Sequence, residues 1–341
     1  MAAKKSAAKK SVAKATKTPA KRASSGGGVV AQLERIEEAG GSGMVTLPGG
    51  VALEVSNLDK VFFPEEGLTK GDVMRYYARM AKYVLPAVAE RPLVMRRFPN
   101  GIGGKAFFHH NVPDAPPGVR TESIDVDGDG EPKSYLVGGD LATTLYVVQL
   151  GALSMDPFHG TWDALDTADY TILDLDPGDD APFARVVDVA RWVKQELDAL
   201  GLHGVPKTSG ASGIHIVVPL PRGTHHEAAV VLAELVATRV AAKHPQEATI
   251  ERKVSARSTS AVYVDYLQNI PGKTVAGAYA VRAKPGATVS TPLAWDEVKP
   301  GLDPRAFTIL TVPDRVAKVG DLWSPAIRKR NSPAALKKIA G

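Results

Sequence analysis

Residues 170–177 read YTILDLDP, an apolar run that ends in two aspartates two positions apart. A short apolar run bounded by a Pro-Gly turn is typical of a buried β-strand. Side chains alternate between the two faces of a strand, so four of these residues share one face: Tyr170, Ile172, Asp174 and Asp176. Carboxylates at the end of a buried strand are costly unless a cation meets them. The pattern therefore predicts a strand that holds a cation.

The two carboxylates suit a divalent metal. Asp174 and Asp176 lie roughly 6–7 Å apart along a strand, close enough to converge on one ion or a close pair. Magnesium and manganese prefer carboxylate oxygens and keep open positions for phosphate. Two such ions about 3.5–4 Å apart clamp the attacking and leaving oxygens in phosphoryl transfer. A third carboxylate, Asp265, lies in the apolar segment AVYVDYLQN (261–269).

The Asp-x-Asp pattern alone leaves other interpretations open. In a structural alternative the pair merely precedes a helix, which Asp179 or Asp180 would cap. Aspartate-nucleophile phosphatases and sugar-nucleotide transferases also use such a pair at a strand end. Against the phosphatase, Pro177 stands where a threonine or valine is expected.

A loop of small polar residues precedes another strand in KTSGASGIHIVVPL (207–220). Glycines let backbone amides approach phosphate oxygens, and hydroxyls add donors. His215 lies on the strand face opposite its isoleucine neighbours, where it could contact a triphosphate. A lone strand histidine is more often structural, but this loop and the three aspartates favour a phosphate contact.

Long amphipathic segments alternate with the strands. LTKGDVMRYYARMAKYVL (68–85) begins with Thr69 three residues before Asp72, which predicts a capped helix. Two further helices are predicted in 181–202 and 226–244. Strands alternating with long helices indicate an α/β (α+β) architecture with central strands flanked by helices.

Composition limits the protein's class. The 341 residues include no cysteine, which excludes disulfides and thiolate chemistry. No apolar run approaches the roughly 18 residues of a membrane span, and the N-terminus lacks a secretory apolar region. We therefore expect a cytoplasmic, soluble protein without a membrane partner.

The positive charge is concentrated at the N-terminus. Residues 1–28 contain seven lysines and Arg22 but no acidic residue, and acidic residues outnumber basic ones in the remainder. Such a segment is predicted to be disordered. It could bind DNA through phosphate charge, or be only a solvated tail or a weak targeting peptide.

Several motifs together resemble one family. DLDP, KTSGASGIHIVVPL, VYVDYLQN and AYAVRAKPGATVSTPLAWDEV follow one another in the order of the polymerase domain of bacterial ligase D. LDKVFFPEEGLTKGD and RPLVMRRFPNGIGGKAFFHHN resemble the opening of that domain, which belongs to the archaeo-eukaryotic primase superfamily. The resemblance implies a primase-type catalytic domain over 52–300. A linker-like segment at 29–51, with a short helix and the start of a hairpin, would precede it. An extension with a basic end at 301–341 would pack on it.

The resemblance also implies roles by position. The catalytic, metal-binding triad would be Asp174, Asp176 and Asp265. Nucleotide contacts would come from Lys207, Ser209, His215, Gln268, Arg282 and Lys284. Lys60 and Lys70 would hold the 5′-phosphate of the downstream strand. Phe107 and Phe108 would lie near the template, where they could stack on bases; the alternative is that both are core residues.

Some positions depart from the family pattern. His109 and His110 follow the paired phenylalanines, where a lysine is common. Ala211 and Ser212 replace the middle of the loop and remove its lysine, and Lys284 stands where many members have arginine. These changes concern phosphate and DNA contacts more than metal chemistry.

The implied activity is template-dependent, metal-dependent nucleotidyl transfer to a primer 3′-OH across short DNA gaps. The resemblance implies two divalent ions, with manganese preferred over magnesium, and ribonucleoside triphosphates as preferred substrates. No K-x-D-G ligase motif occurs, so we expect a stand-alone, nucleoid-associated member working in excision or break repair with a separate ATP-dependent DNA ligase. No surplus amphipathic helix asks for a partner, so we expect a monomer. The rival is a protein that binds DNA ends or gaps and retains only vestigial catalysis.

Overall fold

The computed structural model describes residues 25–126 and 128–340. The predicted basic tail lies outside the described residues except for its last four, which form the start of the first helix. That helix begins earlier than expected because Val29 and Leu33 are buried against the core and stabilise its glycine-rich first turn. Within the described ranges no helix has both the length and the apolarity of a membrane span.

Helices and strands alternate along the chain. The first part contains α1 (Ser25–Glu38), β1 (Gly43–Thr46), β2 (Ala52–Val55), β3 (Val61–Phe63), β4 (Leu68–Thr69), α2 (Lys70–Val88), β5 (Leu93–Arg97), β6 (Phe107–His109), β7 (Thr121–Ile124), β8 (Lys133–Leu136) and α3 (Leu141–Gln149). The second part contains β9 (Asp156–Pro157), β10 (Tyr170–Pro177), α4 (Phe183–Ala199), β11 (Val205–Thr208), β12 (Ile214–Pro219), α5 (His226–Lys243), β13 (Ala248–Thr249), β14 (Val262–Asp265), α6 (Val312–Val319), α7 (Ser324–Arg328) and α8 (Pro333–Ala340). The predicted mixed α/β class is confirmed.

The YTILDLDP strand is the centre of a five-stranded sheet with the order β11-β12-β10-β14-β13. The neighbours β12 and β14 both run antiparallel to β10, and only β13 and β14 pair in parallel. This central strand is paired along both edges, and its first six residues are buried.

The predicted alternation in β10 is confirmed by the two cores that it separates. Tyr170 and Ile172 pack into the larger core with α2 and α3. Leu173 and Leu175 pack on the opposite face with α4 and α5. Helix α4 follows Pro182 and has no side-chain cap, so neither Asp179 nor Asp180 serves as the helix cap of the structural alternative.

Helix α2 presents Lys70 at its first turn. The predicted capping box is present, because Thr69 accepts from the backbone of Asp72 and the Asp72 carboxylate accepts from the backbone of Thr69. Glu37 at the end of α1 joins this cap by accepting from the Thr69 hydroxyl (2.6 Å) and pairing with Arg75. The start of α2 is therefore fixed from two sides.

A second sheet, ordered β6-β5-β9, lies beside the first. Its register pairs Val94 with Asp156 and Arg96 with Phe108. Directly paired residues of antiparallel strands project from the same face, so these four side chains share one face.

The described part of the C-terminal segment packs on the central sheet. Trp323 is buried, and its ring lies 6.4 Å from that of Tyr170. Arg330 donates to Asp169 (2.6 Å) and to the Leu220 carbonyl (2.8 Å). Asn331 donates to the Pro219 carbonyl (2.8 Å), so the segment is attached at the end of β12.

Candidate active site

A row of polar side chains crosses the central sheet. The strand registers place Lys207 opposite His215, His215 opposite Asp174, and Asp174 opposite Asp265. Paired residues of antiparallel strands project from the same face, so the row is continuous over β11, β12, β10 and β14. Asp176 lies on the same face two residues further along β10, opposite Tyr263. Strand register thus joins residues that lie far apart along the chain, such as Asp174 and Asp265.

His215 connects the cationic and anionic ends of this row. Lys207 Nζ lies 2.6 Å from His215 Nδ1, and His215 Nε2 lies 3.2 Å from Asp174 Oδ1. Because a lysine ammonium donates, Nδ1 is the acceptor and the proton of a neutral ring is on Nε2, facing Asp174. Burial, together with the charge of Lys207, lowers the pKa of His215 to about 4, which keeps the ring neutral near pH 7.

Lys207 is almost fully enclosed. Its ammonium also donates to the Ala276 carbonyl (2.8 Å) and to Ser290 Oγ (2.7 Å). Burial and the nearby Arg282 lower its pKa to about 7. An anion bound beside Lys207 and Arg282 would restore the charged form of the lysine, because opposite charges favour ionisation.

The aspartates carry more negative charge than their surroundings offset. Burial raises the pKa of Asp176 to about 7, and the carboxylates of Asp174 and Asp265 add to that shift. Asp174 Oδ1 is buried and receives no well-aligned hydrogen bond from any described residue. For Asp174 burial is opposed mainly by His215, and its pKa is lowered. A hard divalent cation fits this donor set, since it would supply the missing partner and neutralise the repulsion.

Asp265 is held differently from the other two. Its Oδ1 accepts from the Leu267 backbone (2.8 Å) and the Tyr263 hydroxyl (3.3 Å), and its Oδ2 accepts from Gln268 Nε2 (2.8 Å). No group of three histidine, aspartate or glutamate side chains within residues 25–126 and 128–340 is arranged as a complete metal-binding set. Asp265 could act as a ligand only through lone pairs that these donors leave free.

One of its own side chains, Ser209, shapes the serine-glycine loop between β11 and β12. Ser209 Oγ accepts from the backbone amides of Ala211 (3.1 Å) and Gly213 (3.0 Å). Arg282 Nη1 donates to the Ser209 carbonyl (3.0 Å), which places the guanidinium under the loop. The structure therefore brings Ser209, Arg282, Lys207 and His215 together.

Lys284 lies outside this group. It lines a pocket of about 610 Å3 together with Ser212, Pro177 and Arg305. The three aspartates do not line this pocket. Contact of Lys284 with a nucleotide stays a prediction.

A second cationic site surrounds Lys70. A pocket of about 210 Å3 is lined by three cationic residues, Lys60, Lys70 and Arg97, and its described lining includes no acidic one. Lys70 Nζ donates to the Ser56 carbonyl and to Gln149 Oε1, both at 2.8 Å. Burial lowers the pKa of Lys70 to about 8, with smaller effects from Lys60 and Arg97. This concentration of positive charge is suited to an anion.

The paired phenylalanines are exposed rather than in the core. Phe107 and Phe108 retain 45% and 66% of their surface. Arg97 lies over the Phe107 ring at 5.2 Å and Arg96 over the Phe108 ring at 6.0 Å. The core alternative is therefore wrong, and the two rings with their arginines offer a surface for stacking.

Three charged residues near these sites were missed in the sequence. Arg97 belongs to the Lys70 pocket, and Arg257 lies 3.4 Å over the ring of Tyr263, where its charge also reaches Asp176. Burial raises the pKa of Asp156, and the charges of Arg282 and Lys207 are close enough to oppose that rise. The basic run ERKVSARSTS (251–260) was a signal for Arg257, whereas Asp156 has no local pattern around it.

Known proteins resemble this chain over most of its length. The family model "LigD, primase-polymerase domain" matches residues 69–323, three quarters of the chain. The chain belongs to this family. Its LigD relatives include a bifunctional non-homologous end joining protein of Bacillus subtilis, 34% identical over 269 residues, which are 79% of this chain and 43% of that protein. A multifunctional non-homologous end joining protein of Mycobacterium bovis is 33% identical over 280 residues, 79% of this chain and 36% of that protein.

A solved LigD structure has the same fold. The polymerase domain from Mycobacterium tuberculosis ligase D in complex with DNA superposes with a TM-score of 0.74 at 29% identity, covering 82% of this chain and 99% of that one. The chain spans less than half the length of the curated relatives it matches. The likeness therefore concerns one domain of those longer proteins.

Proposed function

We propose that this LigD-type domain is a template-dependent nucleotidyltransferase that extends a primer 3′-OH across short gaps in DNA. The observation that carries the proposal is the continuous row of Lys207, His215, Asp174 and Asp265 across four strands, with Asp176 beside it. The row puts oxygen ligands for divalent metal next to cations for phosphate. A phosphatase or sugar transferase with an isolated Asp-x-Asp pair would not require that arrangement.

Asp174 and Asp176 would hold the metal, and Asp265 would complete the site on the primer side. The expected ions are manganese or magnesium, two per site. Such ions lower the pKa of a bound hydroxyl and offset the charge that develops on the transferred phosphate. Gln268 would keep Asp265 oriented through its 2.8 Å hydrogen bond.

The protein's own cations would bind and orient the triphosphate for in-line attack. Lys207 and Arg282 supply positive charge at the loop, and Ser209 fixes the conformation of the loop by accepting from two of its backbone amides. His215, neutral and with its Nε2 proton toward Asp174, would fix that carboxylate in place. Positioning of this kind supplies a large part of the rate enhancement in phosphoryl transfer.

The Lys70 pocket would bind the 5′-phosphate on the far side of a gap. Its three cations and its depth suit a phosphate dianion, and the exposed phenylalanines lie on the neighbouring strands β5 and β6. The related domain of known structure was solved with DNA, and the named relatives are end joining proteins. We therefore place the activity in break or gap repair, with a separate ATP-dependent ligase sealing the product.

The test is extension of a labelled primer on a short gap that ends in a 5′-phosphate. Ribonucleotides and deoxyribonucleotides would be compared in manganese and in magnesium, for the wild type and for Asp174→Ala/Asp176→Ala. We expect extension by the wild type only, faster with ribonucleotides and manganese. Binding to the gap without extension under every condition would contradict the proposal and favour an end-binding protein.

A further inference from the structure

Asp156 is a carboxylate for which the proposed reaction has no use. Burial raises its pKa, and the charges of Arg282 and Lys207 oppose that rise only in part. These two cations are the groups assigned to the triphosphate, and a carboxylate beside them repels phosphate oxygens. Its position is favourable to a nucleotide only if it contacts a hydrogen-bond donor of that nucleotide.

Strand register places Asp156 on the same face as an exposed aromatic ring. Asp156 pairs with Val94 and Phe108 pairs with Arg96, and Val94 and Arg96 are two residues apart on β5. Two residues along a strand and two strand spacings separate Asp156 from Phe108 by roughly 12 Å. Phe108 is 66% exposed, with Arg96 over its ring at 6.0 Å and the parallel His110 ring at 6.1 Å, and its exposed surface could stack on a base.

The sugar of a nucleotide connects its base to its phosphates. With a base at Phe108 and phosphates at Lys207 and Arg282, the sugar would lie between these groups, beside Asp156. The donors that a sugar offers at this point are its hydroxyl groups. Of these, the 2′-hydroxyl is on the carbon adjacent to the one that bears the base. It would therefore be the hydroxyl nearest to a base stacked on Phe108.

The Asp156 side chain is arranged as an acceptor. Ser154 Oγ donates to its Oδ1, which fixes the plane of the carboxylate. No described residue donates to Oδ2, and the residue keeps partial solvent exposure. We propose that Asp156 accepts a hydrogen bond from the 2′-hydroxyl of the incoming nucleotide and so makes the site select ribonucleotides. This inference rests on the proposed function and names the residue that sets its sugar preference.

The experiment compares ATP, dATP and 3′-deoxyATP as substrates for one added nucleotide on a gapped primer. Variants are Asp156→Ala, Asp156→Asn and Ser154→Ala, with Asp198→Ala on the exposed face of α4 as the matched control. A hydrogen bond to a charged group predicts that Asp156→Ala lowers the ATP/dATP ratio of kcat/KM by about tenfold or more. 3′-DeoxyATP, which keeps the 2′-hydroxyl, should lose efficiency in parallel with ATP. Ser154→Ala should lower the same ratio by a smaller factor, and Asp198→Ala should keep it.

An unchanged ATP/dATP ratio in Asp156→Ala, or equal losses with both nucleotides, would overturn the inference while leaving the polymerase proposal intact. Should Asp156→Ala fail to fold, Asp156→Asn and Ser154→Ala decide by the same ratio. Should the wild type show no extension, the proposed function fails. In that case, calorimetric binding of ATP and dATP to the wild type and to Asp156→Asn tests the 2′-hydroxyl contact separately. If the variant still binds ATP more tightly than dATP by the wild-type factor, Asp156 does not make the contact.

Discussion

Lys70 shows how burial makes an ordinary lysine sensitive to pH near neutrality. Its pKa is lowered to about 8 because the side chain is desolvated beside Lys60 and Arg97. Below pH 8 the ammonium is present and the pocket attracts a phosphate; above it the charge is lost. A phosphate monoester stays largely dianionic from pH 7 upward, so the lysine controls the change.

We therefore expect the preference for a 5′-phosphate over a 5′-hydroxyl to weaken as pH rises from 7 to 9.5. Bound phosphate raises the pKa of the lysine, so the loss should begin above pH 8. The measurement is the ratio of dissociation constants for the two gapped DNAs by fluorescence anisotropy. Lys70→Ala should reduce that preference about tenfold or more at pH 7. A preference that is equally strong in Lys70→Ala would remove Lys70 from the phosphate site.

Local residues predicted only part of the active site. Period-two alternation in YTILDLDP was enough to place Asp174 and Asp176 on one face, because a strand has that period by geometry. The alternation could not identify the neighbours of Asp174, since Asp265 and His215 reach it through strand pairing that local sequence does not encode. For the same reason Arg97 and Asp156 were missed. The resemblance to a family supplied the candidates, and the register explains their proximity.

At the scale of elements, the loop between β11 and β12 requires glycine at Gly213. A Cβ atom there would lie 2.3 Å from the Leu175 carbonyl, which belongs to the rigid central strand. The strand that carries Asp174 and Asp176 would have to shift to accommodate it. Gly103 offers a matched control, because a Cβ at that position meets nothing within 4 Å and its φ is not positive.

Gly213→Ala should destabilise the protein by about 1–3 kcal/mol, as overpacking typically does, and should lower kcat for primer extension by displacing the aspartates. Gly103→Ala should change both quantities little. Urea unfolding and single-turnover extension measure the two effects. Equal free energies of unfolding for both variants would show that the loop relaxes without moving β10.

The C-terminal segment connects distant parts of the whole molecule. Asp169, just before β10, accepts from Arg91 on one side and from Arg330 on the other. Asn331 adds hydrogen bonds to His203 and Pro219 at the edge of the sheet. The segment thus contacts the sheet at one end, where β10 begins and β12 ends, away from the aspartates at the other end of β10.

Asn331→Ala should lower the free energy of unfolding by about 1–3 kcal/mol, because it removes the side-chain donor to the His203 and Pro219 carbonyls and the acceptor of the His203 amide. Asp198→Ala, which removes only an exposed ion pair on α4, should cost less than about 1 kcal/mol. Thermal or urea unfolding of the two variants compares them directly. A cost for Asn331→Ala no larger than for the surface control would mean that the C-terminal segment does not hold the sheet.

Charge is divided between the N-terminal segment and the rest of the protein, and this division makes a prediction for DNA affinity. Residues 1–24 contain seven lysines and Arg22 but no acidic residue, while the remainder of the chain is slightly acidic. Each lysine that neutralises a phosphate releases a counterion, so affinity should depend steeply on salt.

Deleting residues 1–24 should weaken binding to gapped DNA at moderate salt and reduce the slope of log K against log salt concentration. Single-nucleotide addition at saturating DNA should keep its rate, because the residues assigned to the active site lie between positions 156 and 284 of the chain. An unchanged slope in the truncated protein would show that the segment does not contact DNA, and a lost rate would show that it reaches the active site.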